Sequence, residues 1–99
     1  MQLRLSLGTK VSGVRFRAVP RYFFHLHNDV DAIDEEGVEL PDLPAARMVA
    51  LHNARFSAGQ AIKETGRIVL DHRIDIADAD GKVLDTVHFR DAVVVEDGK

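Results

Sequence analysis

The sequence predicts an α+β domain of two layers, with one long helix packed on an antiparallel sheet of three or four strands in the order β-(β)-α-β-β. Three observations predict it: an aromatic segment with strand character after Pro20, a long run of helix-forming residues, and two alternating segments joined by an Asp-Gly turn. The 99 residues suffice for one domain. We therefore divide the chain into a basic leader, residues 1–19, and a single domain, residues 20–99.

The leader differs from the rest of the chain in its charge. Residues 1–20 carry four basic residues and no acidic one, so the formal net charge of −3 leaves −7 for residues 21–99. An acidic body repels phosphate, and we therefore expect no nucleic-acid binding by the folded domain. Only the leader, interpreted as a flexible arm or a short hairpin, is left for such a contact.

The first predicted strand of the domain covers residues 21–27, with the sequence RYFFHLH. Side chains alternate between the two faces of a strand, so three of these residues share an outer face. They are Phe23, His25 and His27. An apolar residue such as Phe23 on an outer sheet face often marks a partner surface. Residues 29–42 follow as an acidic, solvated loop with room for one short strand.

The helix is predicted from Leu43 to Thr65. Asp42 is a favourable N-cap, Pro44 is tolerated in a first helical turn, and Gly66 is a typical C-terminal stop. At 100° per residue, the apolar residues form a broad stripe that is rich in alanine and suited to close approach to a sheet. The stripe comprises Leu43, Ala46, Ala50, Leu51, Ala54, Ala58, Ala61 and Ile62.

A second apolar surface lies off this stripe. Val49 and Phe56 are seven residues apart and share a shoulder of the predicted helix, with Met48 further round. Two explanations are open: the helix rotates to bury them in its own core, or they form a contact between subunits. We take Phe23, Met48, Val49 and Phe56 as the candidate partner-binding residues.

Two alternating segments, residues 68–76 and 83–89, predict strands that pair antiparallel around a turn at residues 78–81. His72 interrupts the inward row of the first segment, and Asp85 interrupts that of the second. Inward polar groups need partners, so we predict that His72 and Asp85 form a structural hydrogen-bonded pair. If the pair is buried, Asp85→Ala should destabilise the domain by roughly 1–3 kcal/mol. A bulge that turns one of the two outward is the alternative.

His25 and His27 are the main candidates for chemistry. Two residues apart on a strand, they project to the same side, where they could share a metal ion. A third ligand would have to come from Asp71, Asp75 or His88 on neighbouring strands. The chain has no cysteine, which excludes disulfides, thiolate zinc sites and cysteine nucleophiles. The simpler interpretation is an exposed histidine pair, so we predict no cofactor and no catalytic residue.

Four segments carry a family resemblance: residues 21–26 (RYFFHL), 34–43 (DEEGVELPDL), 45–47 (AAR) and 89–93 (FRDAV). In this combination the chain resembles a family of short alphaproteobacterial proteins catalogued as a domain of unknown function, over residues 20–92. The resemblance implies no activity. Members of that family begin near Pro20, so a translation start at Val19 would leave residues 1–18 out of the native protein.

A second, partial resemblance concerns the turn Pro41-Asp42-Leu43-Pro44 before the alanine-rich helix. It is similar to a turn in HicB-type antitoxins. The strand that separates turn and helix in that family is missing here, and no DNA-binding tail follows Phe89. A HicB-like antitoxin is therefore a minor alternative.

These observations favour a small bacterial interaction module that is not an enzyme and acts as a homodimer. No apolar run reaches the length of a membrane span and no secretory leader is recognisable, so we expect a cytoplasmic protein without membrane contact. One alternative is a metal-dependent protein or enzyme built on His25, His27 and the acidic loop. The other is nucleic-acid contact through the basic leader.

Overall fold

A computed structural model describes residues 19–98, which contain four β-strands and two α-helices. In chain order they are β1 (Arg21–His27), β2 (Val38–Glu39), α1 (Leu43–Thr65), β3 (Arg73–Ala77), β4 (Val83–His88) and α2 (Phe89–Ala92). The strands form one antiparallel sheet in the order β2-β1-β3-β4, and α1 packs against β3 and β4. The predicted α+β fold is confirmed. Apart from Val19, the predicted leader lies outside the described residues.

Both ends of α1 fall where the sequence places them, because each end is fixed by a local hydrogen bond. The Asp42 carboxylate accepts the backbone N–H of Ala45 at 3.0 Å and so satisfies one of the unpaired donors of the first turn. At the other end Gly66 adopts a left-handed conformation with φ of 74°. Its N–H donates to the carbonyl of Ile62 at 2.8 Å, which closes the helix.

The core forms between the alanine row of α1 and the inner face of the sheet. Four alanines spaced four residues apart are each at most 2% exposed, and their small side chains let the helix backbone approach the strands closely. They are Ala46, Ala50, Ala54 and Ala58. Opposite them lie the large buried side chains of the cluster: Tyr22, Ile74, Ile76, Val87 and Phe89.

The hairpin between β3 and β4 is confirmed, and Asp78 organises its turn. The Asp78 N–H donates to the carbonyl of Lys82 at 2.9 Å, and the Asp78 carbonyl accepts the N–H of Gly81 at 3.0 Å. Its carboxylate accepts two further turn N–H groups, from Asp80 and Lys82. The pairing register shifts between Ile76 and Ala77, which marks an irregularity beside the turn.

The predicted strand over residues 68–76 is shorter in the structure. β3 begins only at Arg73, and the N–H of His72 turns back to the carbonyl of Val69 at 3.2 Å. Arg73 pairs with the last residue of β1, His27, and with the last residue of β4, His88, so no strand flanks the residues before it. Phe89, predicted as the end of the second strand, instead begins α2, where its side chain is buried.

Candidate interaction site

The face of α1 opposite the sheet carries the predicted partner-binding residues of the helix. His52 lies about 180° from the mean direction of the four buried alanines, and Met48, Val49, Arg55 and Phe56 lie within about 60° of His52. We call these five residues the outer face of α1. Met48 is 65% exposed, Phe56 is 66% exposed and Val49 is half-buried. The helix therefore does not rotate to enclose Phe56 in its own core.

Two arginines, one beside this face and one on it, are held by the chain itself. Arg47 Nη1 lies 3.0 Å from Asp85 Oδ2 on β4, and Arg55 Nε donates to the carbonyl of Ala92 in α2 at 2.7 Å. Both contacts draw a guanidinium group towards the β4 and α2 side of the domain. The apolar side chains of Met48 and Phe56 are consequently left accessible on the outer face.

The predicted pair of His72 and Asp85 does not form. Asp85 faces α1, as its inward position predicted, but its partner is Arg47. The N–H of Phe89 donates to the carbonyl of His72 at 2.8 Å, so this register places Asp85 four residues further along the sheet, about 13 Å away. His72 instead packs edge-on against Phe89, with ring centroids 5.6 Å apart, and its Nε2 lies 3.5 Å from Asp29 Oδ1.

The outer face of the sheet holds a polar cluster around Asp75, which is only 8% exposed. Its Oδ1 accepts the Thr86 hydroxyl at 2.9 Å and Arg73 Nε at 3.2 Å, and its Oδ2 lies 3.3 Å from His27 Nε2. The other ring nitrogen of His27, Nδ1, lies 3.2 Å from Asp31 Oδ1. Because carboxylates face both nitrogens, His27 has no free nitrogen for a metal or a substrate proton.

His25 is also engaged, by Asp34, a residue of the acidic loop that sequence reasoning did not single out individually. Its Nδ1 accepts the N–H of Asp34 at 3.1 Å. The Asp34 carboxylate in turn accepts the N–H groups of Phe24, Glu36 and Gly37, each at 3.1 Å. Burial raises the pKa of this carboxyl, but the three N–H groups and nearby His25 outweigh burial and hold the pKa below its ordinary value. The available signal was the Asp-x-x-Gly spacing, which is typical of side-chain-bonded turns.

The structure gathers few of the candidate metal ligands. Within residues 19–98 no three histidine or acidic side chains come together in a group able to hold a metal ion. Of the three suggested third ligands, Asp75 lies beside His27, Asp71 pairs with Arg90, and His88 lies near Asp91. Phe23, the remaining candidate partner-binding residue, is half-buried on the outer face of the sheet.

In the part of the chain that the structure describes, no helix has both the length and the apolar content that crossing a bilayer requires.

Comparison with known proteins gives one family. No curated protein and no solved structure matches the chain. A family model described as a domain of unknown function, DUF6894, matches residues 21–90, which run from the start of β1 to the first turn of α2. The match includes the outer face of α1, the Asp34 loop and the whole sheet, and the chain therefore belongs to the DUF6894 family.

Proposed function

We propose that this protein is a non-enzymatic interaction module that acts as a homodimer through the outer face of α1. The observation that carries the proposal is the exposure of Met48 and Phe56 on one helix face, where neither meets the core of its own chain. Large apolar side chains that share a face are typical of subunit contacts. A domain of this size buries only a modest core, and association commonly adds to its stability.

The spacing of these residues supports a symmetric pair of helices. Met48 and Phe56 lie four residues before and four residues after His52. If two copies of α1 cross antiparallel with the two-fold axis at His52, Met48 of one copy meets Phe56 of the other. Each pair then joins a thioether to an aromatic ring, a favourable contact. The 23 residues of α1 make a helix of about 34 Å, long enough for such a contact.

Gly59 gives independent support. It lies inside α1, where glycine costs about 1 kcal/mol relative to alanine. A Cβ added there would meet nothing within 4 Å, so the packing within the described chain does not require a glycine. In the antiparallel pair, Gly59 lies opposite Ala45 of the second copy, because both are seven residues from His52. Two small residues at that position allow the helices to approach closely.

The alternatives have less support. An enzyme or metal protein built on His25 and His27 needs free ring nitrogens, and three of the four already face a carboxylate or a backbone N–H. Nucleic-acid contact through the leader draws on no feature of the described residues. The HicB-like antitoxin draws only on the turn from Pro41 to Pro44, where Asp42 serves as the N-cap of α1. We place the homodimer in the cytoplasm, since a chain without cysteine suits a reducing compartment.

Sedimentation equilibrium of the full chain at micromolar concentration tests the proposal. We expect a dimer, and we expect the double variant Met48→Ser/Phe56→Ser to sediment as a monomer with its circular dichroism unchanged. The matched control, Val30→Ser/Val94→Ser, removes two apolar side chains that are even more exposed but lie away from α1, and it should stay dimeric. A wild-type chain that is monomeric at these concentrations would refute the proposal.

A disulfide test locates the axis. Because the native chain has no cysteine, His52→Cys introduces a single thiol on the outer face. At the axis, two such thiols come close enough to oxidise to a covalent dimer. Glu36→Cys, exposed on the acidic loop, should stay monomeric on denaturing gels under the same oxidation. Equal cross-linking of both variants would mean random collision and would exclude the axis at His52.

A further inference from the structure

An open cleft lies between the C-terminal half of α1 and the end of β1. Its volume is about 320 Å³, and its walls include Leu26 and Asp29 on one side and Phe56, Ala61 and Glu64 on the other. That volume is at the lower end of the range for small-molecule sites. The cleft is separate from the His27 and Asp75 cluster, because Leu26 belongs to the inner face of the sheet, where it packs against the core.

The charged side chains lining the cleft are all of one sign. Asp29 and Glu64 contribute carboxylates from opposite walls, and none of the lining residues is lysine, arginine or histidine. The polar contacts of the two carboxylates are long. His72 Nε2 is 3.5 Å from Asp29, and the Gln60 amide is 3.5 Å from Glu64 Oε2. Both carboxylates therefore keep acceptor positions for an added cation.

Two further features of the cleft favour a cation. The lining residues Glu64 and Thr65 belong to the last turn of α1, where the helix dipole presents partial negative charge. The ring of Phe56 forms part of the wall, and an aromatic face attracts cations. Each feature is modest alone, but all of them act in the same direction within one cavity.

The apolar part of the lining selects among cations. Leu26, Ala61 and the Phe56 ring offer hydrocarbon contact within the same cleft. A bare metal ion gains nothing from hydrocarbon, whereas the aliphatic stem of an amine does. We propose that this cleft binds an alkylammonium group, which is a primary ammonium on a flexible aliphatic chain. A free diamine and a lysine side chain both present that chemistry.

Isothermal titration and amide-shift mapping of the full chain in low-salt buffer test the proposal. The probes are cadaverine, for the free diamine, and lysine amide acetylated on its α-amino group, for the side chain with its free ammonium. Uncharged pentanediol serves as a control of similar shape. We expect saturable binding of an amine with shifts at Asp29, Ala61 and Glu64, and none with pentanediol. Tighter binding of cadaverine assigns the free diamine, and equal or tighter binding of the acetylated lysine amide assigns the side chain.

A variant pair tests the role of the two carboxylates. Asp29→Asn/Glu64→Gln keeps the shape of the cleft and removes its charge, and we expect amine affinity to fall by roughly tenfold or more. Glu35→Gln/Glu36→Gln removes the same charge from the exposed loop outside the cleft and should leave affinity within about twofold. Equal losses in both variants, or no saturable binding of either amine by the wild type, would overturn the proposal. Phe56 belongs both to the cleft wall and to the proposed dimer contact, but neither variant alters Met48 or Phe56, so wild type and variants are compared in the same oligomeric state.

Discussion

Asp91 Oδ2 accepts the backbone N–H of His88 at 3.0 Å, on the free edge of the sheet. The bond from the Phe89 N–H to the carbonyl of His72 fixes which backbone groups of β4 face β3, and it leaves those of residues 86 and 88 pointing away. The Thr86 N–H is also covered, by Asp85 Oδ1 at 2.8 Å. Carboxylates thus occupy two outward donors of β4, a device that discourages pairing with another strand.

This edge protection predicts a specific effect of Asp91→Ala. The variant frees the His88 donor and removes a charge from the edge, so we expect faster aggregation on warming, together with a loss of about 1 kcal/mol in unfolding free energy. Light scattering at a series of temperatures measures the first effect and urea denaturation the second. Asp91→Asn retains an acceptor oxygen and should aggregate more slowly than the alanine variant. Indistinguishable aggregation of wild type and Asp91→Ala would contradict the protective role.

Gly37 is expected to be irreplaceable because of its surroundings. Its φ is 70°, and an added Cβ would lie 2.9 Å from Arg21 Cγ, from Phe23 Cε2 and from the Tyr22 carbonyl. Gly37→Ala should therefore cost roughly 2–4 kcal/mol, from backbone strain and overlap together. Gly66 is a matched control, since its φ is 74° and nothing lies within 4 Å of its Cβ position. Gly66→Ala should cost only about 1 kcal/mol, and equal losses of unfolding free energy would show that crowding at Gly37 is unimportant.

Elements whose limits are set by nearby residues were the ones that the sequence predicted well. The bounds of α1 follow from Asp42 and Gly66, each of which bonds within four residues, and the β3–β4 turn follows from Asp78 and Gly81. The start of β3 was predicted too early because a strand continues only where a neighbour pairs with it. Neither β1 nor β4 provides a strand residue that pairs with the residues before Arg73. Alternation along the chain carries no information about where the neighbouring strands stop.

The polar contacts illustrate the same limit. That Asp85 faces inward follows from alternation, but its partner Arg47 lies 38 residues away on the helix. The enclosure of Asp75 depends on β1 lying beside β3, which brings His27 within reach. Strand order could not be deduced from the sequence, so Asp75 was only one of three residues considered as neighbours of His25 and His27. Placing Met48, Val49 and Phe56 off the alanine stripe of α1 required only the helical period, whereas the sequence left open whether they would be buried.

The contact between Arg47 and Asp85 predicts a measurable coupling. The two side chains are 42% and 33% exposed, so solvent screens the pair and a double-mutant cycle should give about 0.5–1 kcal/mol. Alanine at each position and at both, followed by urea denaturation, provides the cycle. The cycle of His72→Ala with Asp85→Ala is the control and should give no coupling, because these residues do not meet. Coupling to His72 but not to Arg47 would favour the pair expected from the sequence.

Asp34 predicts a dependence of stability on pH. Its carboxyl has a folded-state pKa below the ordinary value of 3.8, so the carboxylate contributes stability that is present above about pH 4 and is lost as the pH falls through the folded-state pKa. Asp34→Asn keeps one acceptor oxygen but removes the charge, and it should lower the unfolding free energy by about 1 kcal/mol near neutral pH. That difference from wild type should shrink towards zero once the pH falls below the folded-state pKa, where the wild-type carboxyl is itself protonated. Denaturation at a series of pH values measures the difference, with Glu35→Gln as a control for loss of one exposed carboxylate. A difference that persists unchanged into acid would mean that the N–H groups around Asp34 do not depend on its charge.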